Sequence, residues 1–165
     1  MLLSGLKRQW PVAVYTVAGA LVLLATYLGR GRMNIAAASA AFVGAVMVLV
    51  AAGLLAWSYL ALGRALSLWV RPDSDLLVQN GPYRFIRHPA YLGLGLAFVG
   101  IAIAVRSWLG ILSVPAFMGP ATWLRARAEE RELRQKFGRD WIRYAARTGF
   151  ILPRLNRKRP TAVAA

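Results

Sequence analysis

The chain has 165 residues, 58% of them hydrophobic, with a mean hydropathy of +0.49 and a formal net charge of +15. That balance sets it apart from soluble globular domains and makes an integral membrane protein the first expectation. The absence of cysteine excludes disulfides, thiolate metal sites and cysteine nucleophiles, and basic residues scattered between apolar runs do not form the single patch that nucleic acid requires.

Four apolar runs separated by charge succeed one another. The first, "WPVAVYTVAGALVLLATYLG" over residues 10–29, has roughly 20 residues, enough at ~1.5 Å per residue to cover a ~30 Å hydrocarbon core. It comes after Lys7 and Arg8 as a signal peptide would, but it is too long for one and no small-residue cleavage site comes after it, so a retained anchor is expected. The second run, 35–63, exceeds what one span needs, and its end, "LLAWSYLALG", is expected to tilt or project beyond the membrane. The third, 90–105, and the fourth, 108–124, are short and joined only by Arg106 and Ser107, which predicts a tight helical hairpin. Pro115, and Gly119 with Pro120, are expected to kink or break the fourth helix.

Charge sets the orientation. With both termini in the cytoplasm, Lys7, Arg8, Arg64, Arg71, Arg84, Arg87 and the basic residues from Arg125 onward fall on one side, leaving Arg30, Arg32 and Arg106 on the other. This asymmetry obeys the positive-inside rule, with anionic membrane lipids as partners of the basic face. The expected fold class is all-α integral membrane, with about four transmembrane helices and a C-terminal cytoplasmic amphipathic helix.

Two polar stretches remain on the cytoplasmic side. The first opens with the linker "RPDSD", continues through "LLV" and the turn "QNGPYR", and ends at His88, the only histidine, and Pro89. Proline suits the first residue of a helix, where no intrahelical hydrogen bond is lost. His88 then lies beside a helix N-terminus, whose exposed N–H groups favour an anion. Tyr91 shares its helical face, and Gly93 and Gly95 leave the helix surface bare for another group. A plainer reading makes the segment an interfacial turn, with Tyr83 and Tyr91 as belt aromatics and Arg84 and Arg87 on lipid phosphates.

The second stretch, "LRARAEERELRQKFGRDWIRYAARTGFILP", has helical period. Leu133, Phe137, Trp141 and Tyr144 form one stripe that includes Glu130, whereas Glu129, about 100° away, is expected to face solvent. An amphipathic helix is expected over 125–147, interrupted at Phe137 and Gly138 and ended by "TGFILP". An acid on its buried side needs a partner, either a cationic ligand or an ion pair with Arg127 or Arg134. The tail, residues 160–165, reads as a disordered end.

Together, "LVQNGPYRFIRHPAYLG" at 77–93 and "EERELRQKFGRDWIRYAARTGFILP" at 129–153 resemble the paired signature of the isoprenylcysteine carboxyl methyltransferase and phospholipid methyltransferase superfamily of integral membrane enzymes. Trp141 stands where a tyrosine is usual and, as an aromatic, can hold the same packing role. The resemblance divides the chain into a two-helix membrane anchor, 1–63, and a catalytic core, 64–159, made of the loop, the hairpin 90–124 and the amphipathic helix. It implies an S-adenosylmethionine site built from the loop before the third helix and the helix after the fourth. In that site Val78, Gly81 and Tyr83 lie along the cofactor, His88, Pro89 and Tyr91 hold its polar ends, and Glu130 meets its amino group. Arg125 corresponds to an arginine placed near the acceptor. On a continuous helix Arg125 is about 140° from Glu130 and Arg127 about 60°, a difference that a bend after Gly119 and Pro120 would reconcile.

The cofactor's chemistry agrees with these residue types. Its sulfonium and ammonium suit a carboxylate and tyrosine faces, its carboxylate suits N–H donors at a helix start, and its adenine suits a slot lined by Leu77 and Val78. No metal is required. The function implied is a membrane S-adenosylmethionine-dependent methyltransferase whose lipophilic acceptor, first of all the carboxylate of a prenylcysteine-like substrate, enters from the bilayer. A phospholipid amine is an alternative acceptor and needs Glu130 or His88 as base; thiol and small isoprenoid acceptors stay open. Sterol-type reductases using a nicotinamide share the Arg-His-Pro-x-Tyr element, and a noncatalytic module binding anionic lipid or a partner protein is a further alternative. The Ala- and Arg-rich composition points to a bacterial inner membrane, with the active site on the cytoplasmic side.

Overall fold

The structure, a computed structural model, describes residues 2–63 and 76–154, with side chains from residue 12 onward. The linker "RPDSD", Arg64 and Arg71, and the tail from residue 155 lie outside the described residues. The described chain is helical, in the order α1 (Leu2–Leu28), α2 (Ala37–Leu62), a 3-10 turn (Gly81–Arg84), α3 (Pro89–Ala104), α4 (Trp108–Ser113), a π-helical turn (Val114–Met118), α5 (Gly119–Phe137) and α6 (Arg139–Arg147).

Apolar runs with no charged residue form helices because every backbone polar group can be satisfied within the segment. Hydroxyls in them do the same by bonding back along the helix: Ser58 Oγ donates to the Leu54 carbonyl at 2.7 Å and Ser113 Oγ to that of Gly110 at 2.7 Å. Among the described residues, α2 is the one helix long and apolar enough to cross a membrane. The Val12–Leu28 part of α1 and all of α3 are shorter apolar helices.

Helix contacts depend on small residues. The buried face of α2 is Ala40, Gly44, Ala51 and Ser58, and it packs on α3. A Cβ at Gly44 would lie 2.5 Å from the Gly100 carbonyl oxygen, and one at Gly93 2.9 Å from Leu55 Cγ. Only bare backbone allows that approach, which is how helices without a hydrophobic driving force between them gain dispersion energy. On the other side of α3, α1 packs against α4, the π turn and α5. Tyr15, Ala18, Val22, Val114, Met118 and Ala121 form the core there, with Tyr91 and Phe98 against it. The outer faces are apolar as well; Phe42, Leu49 and Leu60 of α2 are all more than 70% exposed.

The hairpin stands where the sequence predicts it. Arg106 takes the left-handed conformation at φ 58°, and Ser107 caps α4 by accepting from Gly110 N at 3.0 Å. The loop between α1 and α2 is sewn to this turn by Gly31 N to the Val105 carbonyl, 2.9 Å, and Met33 N to that of Arg106, 3.0 Å. The fourth run differs from expectation in one respect. Pro115 lies in the π turn, but Gly119 and Pro120 do not break the helix; they begin α5, which runs on to Phe137. The wide π turn absorbs the mismatch, and proline is tolerated in the first turn of the helix that it leads into. The amphipathic stretch is therefore the continuation of α5, divided from α6 at Gly138, whose φ of 50° favours glycine.

Candidate functional site

The loop before α3 is shaped by two glycine positions. Gly81 has φ 55°, and a Cβ on it would meet Ala61 Cβ at 2.8 Å and Trp57 Nε1 at 3.2 Å, so the GPYR turn sits directly on the end of α2. Beyond the turn, residues 85–88 pair with the segment after α6. Gly149 N donates to the Phe85 carbonyl at 3.1 Å, Arg87 N to that of Gly149 at 2.9 Å, and His88 N to that of Phe150 at 3.1 Å. A Cβ at Gly149 would fall 1.7 Å from the Leu152 carbonyl oxygen. This pairing brings the segment after α6 onto the start of α3.

Arg87 fastens the junction. Its Nε donates to Glu130 Oε1 at 2.7 Å, and its Nη1 to the carbonyls of Ala145 at 2.8 Å and Thr148 at 3.0 Å. Its guanidinium also lies over the Phe150 ring, 5.7 Å from the centroid. One planar cation thus ties α5, the end of α6 and the loop before α3 together, a task suited to arginine's fork of donors.

His88 precedes Pro89 at the start of α3 and is buried at 5% exposure. It stands between two acids: Nε2 is 3.3 Å from Glu130 Oε1 and Nδ1 is 3.7 Å from Glu129 Oε2. Tyr91, one turn on, donates its hydroxyl to Glu129 Oε1. Glu129 is therefore a member of the site and not the solvent-facing acid expected from helical angle. The angle is right, but the group opposite is broad: an imidazole with nitrogens on two sides and a tyrosine one turn along collect both adjacent carboxylates. Arg125 Nε lies 3.5 Å from Glu129 Oε1, and its guanidinium sits over Tyr15 at 5.4 Å and Tyr91 at 5.9 Å. Arg127, 55% exposed, reaches only 3.9 Å from Glu130 Oε2 at the rim. Of the two arginines, Arg125 faces the site.

Burial alone would push the Glu130 carboxyl up, but the hydrogen bond from His88 and the positive charge of Arg87 outweigh it and hold the group below its ordinary value. Glu130 is thus a stable carboxylate. Burial raises the phenol of Tyr144 to about 12, and that of Tyr83 higher still. Both stay protonated, and Tyr144 uses its proton to donate to the Tyr83 carbonyl at 2.8 Å.

Of the residues singled out from the sequence, His88, Tyr91, Arg125 and Glu130 converge. Pro89 is fully buried and starts α3. Leu77 and Val78 are half-buried in the approach to the GPYR turn, Gly81 packs on α2, and Tyr83 is tied to α6 through its carbonyl. Sequence reasoning missed Arg87, Glu129, Phe150 and Tyr15. Arg87 and Phe150 lie inside the quoted motifs, whereas nothing in the first apolar run marks Tyr15.

The two carboxylates lie beside the His88 ring, which itself contacts the rings of Tyr91 and Phe150, and Arg87 and Arg125 balance their charge. The start of α3 has no side-chain cap, leaving its first N–H groups to receive an anion.

The sequence matches the family described as phospholipid methyltransferase over residues 39–140. It is 30% identical over 115 residues to a "Probable protein-S-isoprenylcysteine O-methyltransferase" of Oryza sativa subsp. indica, across 68% of this chain and 60% of that protein. The same figures hold for its counterpart in Oryza sativa subsp. japonica. "Protein-S-isoprenylcysteine O-methyltransferase B" of Arabidopsis thaliana is 29% identical over 86 residues, across 52% of this chain and 44% of that protein. The matched region of this chain thus spans about 60% of the length of the rice relatives.

Proposed function

This chain belongs to the phospholipid methyltransferase family, and we propose that it is an integral membrane enzyme transferring a methyl group from S-adenosylmethionine to a lipophilic acceptor, first of all a prenylcysteine-like carboxylate. The observation that carries the reading is the junction of α3 and α5, where Glu129, Glu130, His88, Tyr91 and Arg125 meet within hydrogen-bonding or cation-ring range. In this reading four segments span the membrane: α1, α2, α3, and α4 with the first turns of α5. The rest of α5 projects into the cytoplasm, α6 lies on the membrane surface, and the site and both termini are cytoplasmic.

Glu130, fixed by Arg87 and His88, would meet the cofactor's ammonium, and the uncapped start of α3 would receive its carboxylate. Leu77, Val78, Gly81 and Tyr83, in and before the GPYR turn, would hold the adenosine. When bound, S-adenosylmethionine would supply a methyl group activated by its sulfonium for transfer to an acceptor oxygen. The protein's part is to align the two and exclude water. Arg125, between two tyrosine rings, is placed to orient an anionic acceptor. A carboxylate is already nucleophilic, so no base is needed.

The family's description favours a second reading, a phospholipid amine. That acceptor must lose a proton, and Glu129, beside Tyr91 and Arg125, is the acid placed to take it. Incubation of purified protein with methyl-labelled S-adenosylmethionine and either N-acetyl-S-farnesylcysteine or phosphatidylethanolamine separates the two. A base-labile product on the first supports the carboxylate reading, a base-stable product on the second supports the amine, and labelling of neither overturns both.

A further inference from the structure

Tyr15 comes from α1, outside the region matched to the family, and completes the wall of the site. Its ring belongs to the core beside Val22 and Met118, lies 5.3 Å from the Tyr91 ring and carries the Arg125 guanidinium on its face. The residue is only 8% exposed. Among the buried side chains described, its hydroxyl is the polar atom that has no hydrogen-bond partner. The hydroxyl of the buried Thr122 is a neighbour that interacts with it, but the pair falls short of hydrogen-bond geometry.

A buried hydroxyl without a partner costs free energy that phenylalanine, of nearly the same shape, would not. Such orphaned groups are rare in folded proteins and call for an explanation. Here the hydroxyl lies in the electrostatic reach of Arg125 and Glu129, on the α1 side of the site. The helix start and Glu130, assigned to the cofactor, belong to α3 and α5.

We infer that the Tyr15 hydroxyl is an acceptor-binding donor: it bonds one oxygen of the acceptor's carboxylate while Arg125 balances the charge. The first helix is then a part of the acceptor site as well as a membrane anchor. This inference rests on the carboxylate reading above. It also explains why an aromatic is held here by its ring in the core, since the donor must be fixed before the acceptor arrives.

The test compares wild type, Tyr15→Phe and Thr122→Val in detergent, with N-acetyl-S-farnesylcysteine as the methyl acceptor. Three quantities are measured: affinity for S-adenosylhomocysteine, kcat and KM for the acceptor, and Tm without ligand. The expected result for Tyr15→Phe is unchanged product affinity, an acceptor kcat/KM lowered by about tenfold or more, and a Tm equal to or above wild type. Thr122→Val is expected to keep wild-type acceptor kinetics. Unchanged kcat/KM in Tyr15→Phe overturns the inference, as does equal weakening of the product, or a lowered Tm that Thr122→Val reproduces. If wild type binds the product yet leaves the probe unmethylated, the carboxylate reading fails and the inference with it. An active wild type with an equally active Tyr15→Phe removes this inference alone.

Discussion

Replacing Arg87 by alanine removes one partly buried cation that makes three hydrogen bonds, to Glu130 Oε1 at 2.7 Å and to the Ala145 and Thr148 carbonyls at 2.8 and 3.0 Å. The side chains of both Arg87 and Glu130 are 12% exposed, so solvent screens their pair weakly. Removing one partner of a buried pair costs about 3–5 kcal/mol, because the other charge is stranded. His88 remains beside Glu130 and offsets part of this, which places the expected loss near the lower limit, about 3 kcal/mol. For a chain of this size that is a fall in Tm of roughly 6–12 °C.

The assay is thermal unfolding of detergent-purified protein by tryptophan fluorescence, with limited proteolysis of the segment after α6 as a local readout. Arg87→Ala should release the segment around Gly149 and Phe150 to protease before the bundle melts. Arg87→Lys should recover less than half of the loss, since an ammonium cannot reach the carboxylate and two carbonyls in one plane. A Tm for Arg87→Ala within about 2 °C of wild type, with unchanged proteolysis, would falsify the argument that this cation holds α5, α6 and the loop together; the margin is roughly the error of one small surface change.

Three further outcomes rest on the same geometry. The Glu130 carboxyl is held below its ordinary value of 4.5, so its stabilising contribution is complete above that pH and lost as pH falls through the lowered value. Wild type should lose Tm on acidification below about pH 4.5, and Glu130→Gln should flatten that limb of the profile; parallel profiles would contradict the pairing. Gly44→Val places a branched side chain where a Cβ already lies 2.5 Å from the Gly100 carbonyl oxygen, so α2 and α3 should separate at a cost of about 1–3 kcal/mol, read as a lowered midpoint in denaturing detergent. Tyr91→Phe leaves Glu129 without its phenol donor and should lower methyl transfer by about tenfold, with Tm shifted by only a few degrees. Transfer at the wild-type rate would remove Glu129 and Tyr91 from the chemistry.

Local signals tell where helices begin and turn. Pro89 starts α3, Arg106 and Ser107 form the hairpin, and Gly138 divides the amphipathic stretch, because each rests on the preferences of one or two residues. The partners across the bundle are not legible in that way. Arg87 bonds carbonyls 58 and 61 residues further along, and a backbone carbonyl has no side-chain signature. Glu129 departs from its expected place because helical angle gives the direction of a side chain but not the width of what lies opposite. Tyr15 sits in a run whose hydropathy alone describes an anchor, so its part in the site emerges only from the packing of α1 on α5. The passage from α4 into α5 depends on a π turn around Pro115, and proline by itself does not distinguish a break from an absorbed mismatch.

In the proposed reading, the junction of α3 and α5 holds S-adenosylmethionine through Glu130 and His88. Calorimetric titration of S-adenosylhomocysteine and of reduced nicotinamide dinucleotide phosphate into detergent-purified wild type, Glu130→Gln and His88→Ala tests it most directly. Saturable binding of the first ligand alone is expected, weakened about tenfold or more in both variants whose folding is confirmed by their melting curves. Nicotinamide binding in its place, or undiminished S-adenosylhomocysteine affinity in folded Glu130→Gln, would contradict the assignment of this site.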